Sequence, residues 1–76
     1  MPARLRPTKG KAVLRKLRRA GFQVVRTRGS AYYLRHPVTG RFTSVHVHGS
    51  GDIPMGTLYA IVVEQAGLAI EEFNRL

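Results

Sequence analysis

Between Lys9 and Ala20 the apolar residues Val13, Leu14, Leu17 and Ala20 recur at helical spacing, with lysines and arginines between them. This predicts an amphipathic helix over 9–20, with Thr8 as its candidate N-cap and Gly21 as its C-terminal stop. The period then changes to two. Phe22 to Arg28 is rich in β-branched and aromatic residues. It reads as a strand with Phe22, Val24 and Arg26 on one face and Gln23, Val25 and Thr27 on the other. Gly29-Ser30 supplies a tight turn, and Ala31 to His36 forms a second strand that Pro37 ends by removing a ladder donor. After a second turn at Val38-Thr39-Gly40, Phe42 to His48 alternates cleanly. Thr43, Val45 and Val47 take one face and Phe42, Ser44, His46 and His48 the other.

Such short connections predict three antiparallel strands in a meander. Gly49-Ser50-Gly51-Asp52 reads as a loop in which Asp52 caps a helix with Pro54 in its first turn. Leu58, Ile61, Val62 and Ala66 then repeat at helical spacing up to Gly67. A short final helix over 70–76 brings Phe73 and Leu76 to the core. The expected fold class is α+β, with a three-stranded antiparallel sheet carrying two main helices on one face. That order, α-β-β-β-α, is the arrangement of double-stranded-RNA-binding domains. Residues 1–8 hold Pro2 and Pro7 and no periodicity, which predicts a flexible arm ahead of a single domain filling the 76-residue chain.

Charge sharpens this picture. The formal charge is +9, from 13 Lys and Arg against 4 Asp and Glu. Eleven of the 13 basic residues lie between Arg4 and Arg35, and all four acids lie between Asp52 and Glu72. A basic helix face is commonly just solvated. With Arg26, Arg28, Arg35 and Arg41 added on neighbouring segments, a polyanionic partner becomes the better reading, and nucleic acid is its leading class. The chain has no cysteine, so disulfides and thiol catalysis are excluded. The basic N-terminus lacks the apolar run of a secretory signal, and no segment approaches the length needed to span a bilayer. The expectation is a cytoplasmic protein without a membrane partner.

Three histidines offer acid-base chemistry near neutral pH. His36 precedes a proline at a strand end, where a polar edge residue is the ordinary reading. His46 and His48 share one strand face, but a metal pair lacks a third ligand, so no metal or other cofactor is expected. Gly29-Ser30 is first of all a turn. In its functional reading, the backbone N–H groups and the Ser30 hydroxyl approach a phosphate, with charge from Arg26 and Arg28. Tyr32 and Tyr33 point to opposite strand faces, so one packs in the core and the other is free to stack on a base.

The Gly21-Phe22 junction, the Arg28-Gly29-Ser30 turn, the Val45 to His48 strand and Gly56-Thr57-Leu58 opening a helix that ends in Gln65-Ala66-Gly67-Leu68 occur in a telling order. In order and spacing, from Lys9 to Phe73, the chain resembles the HicA family of bacterial toxin-antitoxin systems. That resemblance implies an mRNA interferase of double-stranded-RNA-binding-like fold, neutralised by a HicB antitoxin that covers its active site. In the family the strand opens with Gly-Ser-His, and the histidine is catalytic. Here that position is Ala31.

Ala31 is best read as an engineered His-to-Ala change that silences a toxin otherwise lethal to its expression host. The other readings are a natural loss that leaves a binding protein, or chemistry transferred to Tyr32 or His48. All three predict little nuclease activity. The residues assigned to RNA are Arg26, Arg28, Gly29, Ser30 and Tyr32 around this turn, together with Lys11, Arg15, Arg35 and His48. Ala31 is expected at an exposed strand start, where a change of side chain costs little stability. The competing class is a non-catalytic double-stranded RNA- or DNA-binding module.

Overall fold

A computed structural model describes residues 3–47 and 49–76. Helix α1 (Gly10–Arg19) leads into strands β1 (Gln23–Arg28), β2 (Ala31–Arg35) and β3 (Phe42–His46). Then come α2 (Met55–Tyr59), its continuation as a π-helical segment Ala60–Gln65, and α3 (Ile70–Arg75). The strands form one antiparallel sheet in the order β1-β2-β3. The α+β architecture expected from the alternating periods is the one observed.

Val13 and Leu17 of α1 share one buried cluster with Leu34 and Val45 of the sheet, Leu58, Ile61 and Val62, and Phe73 of α3. Each fully buried side chain of this size contributes about 1.5–3 kcal/mol. The helix ends where the sequence places its stop. Phe22 N–H donates to the Leu17 carbonyl (3.0 Å) and Gly21 N–H to that of Arg18 (3.1 Å), a Schellman closure that needs the positive φ of Gly21. Buried Leu17 and Phe22 supply its hydrophobic contact. In the same last turn of α1, Lys16 docks α3, with its Nζ 3.2 Å from the Phe73 carbonyl and 4.9 Å above the Phe73 ring.

The two expected side-chain caps are absent, for one shared reason. Lys9 and Asp52 pair as an isolated antiparallel bridge, and Ile53 N–H donates to the Thr8 carbonyl at 2.9 Å. This extended pairing makes Lys9 the N-cap of α1 and Pro54 that of α2, neither with a side-chain cap bond. The Thr8 hydroxyl turns back to the Arg6 carbonyl instead. The same pairing holds residues 3–8 of the segment that the sequence marks as a flexible arm over 1–8, residues 1 and 2 lying outside the described residues. Leu5 is buried in the core cluster, and Asn74 donates its amide to the Arg4 carbonyl at 2.9 Å.

In the π-helical segment, Ala66 N–H reaches the Ile61 carbonyl five residues back, at 2.8 Å. Gln65 at its end accepts a 2.6 Å hydrogen bond from the Thr43 hydroxyl. Thr43 is 1 % exposed, and this bond satisfies it.

Candidate nucleic-acid interface

The sheet has one covered face and one open face. Cross-strand register puts Tyr32 opposite Val45 and Leu34 opposite Thr43, all on the helix side. Alternation then places Ala31, Tyr33 and Arg35 on the other face, with Phe42, Ser44 and His46. Strand β1 joins this face through an irregularity. Val24 pairs with Leu34 but Arg26 pairs with Tyr33, so Val25 is an extra residue. In an unbroken strand Val24 and Arg26 share a face, as the sequence pattern predicts. The bulge separates them and brings Arg26 and Arg28 onto the open face beside Tyr33 and Ala31.

Three rows result. Arg28, Ala31 and His46 form one across all three strands; Arg26, Tyr33 and Ser44 the next; and Gln23, Arg35 and Phe42 the third. Gly29-Ser30 closes the hairpin next to the first row. Gly29 takes φ +57° there, and the Ser30 carbonyl is held by Val47 N–H at 2.8 Å. Ala31 itself is 6 % exposed, so it is not the open strand start expected from its place after a turn. Tyr33 stacks on Phe42 with ring centroids 6.1 Å apart and an interplanar angle of 24°.

Of the residues assigned to RNA from sequence, Arg26, Arg28 and Arg35 are brought together on this face, with Gly29-Ser30 at its edge. Tyr32 packs against the core instead, and the tyrosine on the open face is Tyr33. Lys11 and Arg15 belong to the helix layer, on the exposed side of α1 with Arg18 and Arg19. Lys11 directly follows Gly10, whose Cα lies so close to the His46 carbonyl that a Cβ would stand 2.6 Å from it. That end of α1 is therefore the one beside the Ala31–His46 row, and Arg15 is about 6 Å further along the helix. His48 lies outside the described residues.

His36 is occupied structurally. Its Nδ1 accepts N–H bonds from Val38 (3.1 Å) and Thr39 (3.2 Å), so Nε2 carries the hydrogen and faces the Ala20 carbonyl at 3.2 Å. The ring also meets Phe22 edge-on at 5.1 Å. This clasp ties the β2–β3 turn to the end of α1 and satisfies one of the helix's last carbonyls. His46 also lines a cavity of about 410 Å³ beside β3, together with Ser44, Asp52, Thr57 and Gln65. Among the described residues, no three His, Asp or Glu side chains converge as a metal site requires. No described helix is long and apolar enough to cross a membrane.

Phe42 is the residue that sequence reasoning missed. Its outward position was visible in the strand alternation, but its contact with Tyr33 depends on the β2–β3 register. Residues 10–68 match a family model described as HicA toxin of bacterial toxin-antitoxin. No match is found among curated proteins.

Proposed function

The chain belongs to the HicA toxin family of bacterial toxin-antitoxin systems, and from that membership we propose that it is an mRNA interferase silenced by Ala31. What carries the reading is the place of Ala31 at the centre of a cross-strand row, between Arg28 of β1 and His46 of β3.

Metal-independent RNA cleavage takes a base that removes the 2′-hydroxyl proton as that oxygen attacks phosphorus. It takes an acid that protonates the departing 5′-oxygen, and positive charge for the phosphorane-like transition state. An imidazole at position 31 supplies proton transfer in the middle of the row, and Arg28 and Arg26 supply charge from the neighbouring strand. With a methyl group there instead, the chain binds RNA and does not cut it. A protein antitoxin of the HicB type is the partner that covers this face, and cytoplasmic mRNA is the substrate.

The test compares RNA cleavage by purified Ala31→His protein with the unchanged chain, in EDTA. Cleavage by the variant alone is expected. If neither protein cuts while both bind RNA, the interferase reading fails and a non-catalytic binding module takes its place.

A further inference from the structure

The open sheet face carries a feature that proton transfer does not use. Phe42 is 52 % exposed. It is not a stray apolar side chain, because it lies nearly parallel to Tyr33 at 6.1 Å. Arginines surround the pair: Arg35 is the cross-strand partner of Phe42, Arg26 is that of Tyr33, and Arg28 lies on the same face. Val25, Arg26, Arg28, Tyr33 and Phe42 together line a shallow depression.

From this geometry we infer that Tyr33 and Phe42 form a stacking platform for unpaired nucleobases, so that the face takes single-stranded RNA. A duplex keeps its bases stacked on one another and shows a protein only its backbone and groove edges, which leaves an exposed phenyl ring without a partner. An unpaired base offers a π-face, and every base has one. The arginines alongside meet the phosphates, which makes the face complementary to a strand whose charge runs along one side and whose rings turn to the other.

The spacing connects the platform to the proposed cleavage position. Ala31 and Tyr33 are two residues apart on one strand face, about 7 Å, a distance that an extended nucleotide step spans. A base held on the platform therefore sets the adjoining phosphate near the Arg28–Ala31–His46 row. The inference deepens the proposed function by naming the strandedness of the substrate, and in that sense rests on it.

The experiment measures binding of the unchanged chain, Phe42→Ala and Phe42→Leu to a fluorescent single-stranded oligoribonucleotide and to the same sequence as a duplex. Phe42→Leu keeps an apolar side chain without a ring, and the circular dichroism spectrum and thermal midpoint establish that each variant is folded. Single-strand affinity is expected to fall about tenfold in both variants, with duplex affinity unchanged and Phe42→Trp restoring the single-strand value. Unchanged single-strand binding, or an equal loss on both RNAs, overturns the inference; the former assigns the ring pair to a protein partner. Cleavage by Ala31→His is read separately. Loss of strand-selective binding without cleavage keeps the platform and sinks the interferase, whereas cleavage with unchanged Phe42→Ala binding does the reverse.

Discussion

Ala31 of β2 and His46 of β3 are direct cross-strand partners. Position 31 therefore has an imidazole as its neighbour on one side and the Arg28 strand position on the other. Ala31 is nonetheless 6 % exposed, so its methyl group is closely surrounded. Enlarging a close-packed side chain pushes its neighbours from their preferred rotamers, at a cost of about 1–3 kcal/mol. Urea unfolding of Ala31→His is expected to show a loss in that range with an unchanged m value. A variant as stable as the unchanged chain would mean that the imidazole projects freely over the sheet.

Arg28 heads the row that contains Ala31. If it meets a phosphate, Arg28→Gln removes one released counterion. The slope of log affinity against log salt then becomes shallower by roughly 0.7–0.9. Titrations at several salt concentrations check this, and an unchanged slope would exclude Arg28 from the RNA contact.

At Gly10, helix propensity and packing oppose one another. Alanine is the better helix former by about 0.8–1 kcal/mol. A Cβ there would stand 2.6 Å from the His46 carbonyl oxygen, a backbone atom that cannot rotate away. Gly10→Ala is therefore expected to destabilise the protein by about 1–3 kcal/mol, measured by thermal or urea unfolding. Stabilisation would show that α1 and β3 separate without cost.

Thr43 and Gln65 share a hydrogen bond with unequal ends. The Thr43 side chain is buried, whereas Gln65 is exposed. Thr43→Val leaves the Gln65 oxygen able to turn to water and should cost about 1 kcal/mol or less. Gln65→Met strands a buried hydroxyl and should cost about 1–3 kcal/mol. Unfolding of both variants and the double variant tests this order, and the reverse order would disprove it.

His36→Phe keeps a ring against Phe22 but removes the acceptor for Val38 and Thr39 and the donor facing Ala20. Its expected cost is about 1–3 kcal/mol, with RNA binding unchanged because the ring holds structure and not substrate. A loss of RNA affinity in a folded variant would contradict that assignment.

Much of the fold was legible because its signals are local. A 3.6-residue period, a two-residue period, and punctuation by Gly21, Gly29 and Pro37 depend only on neighbouring residues and the surface they must bury. They marked the helices, the strands and the β3 face on which Thr43 and Val45 are buried. The order of short motifs likewise pointed to the family that residues 10–68 match.

What the sequence determined by itself was the set of elements, their order, the basic character of the chain and the family. Tertiary structure alone decided which side chains meet. The bulge at Val25 turned Arg26 and Arg28 toward Tyr33 and Ala31, and pairing of Lys9 with Asp52 replaced two expected caps. The covered face of the sheet took Tyr32 and left Tyr33 to Phe42. Each of these outcomes depends on contacts between segments distant along the chain. Local periodicity shows that a strand has two faces, and only cross-strand register and the packing of helices decide what each face touches.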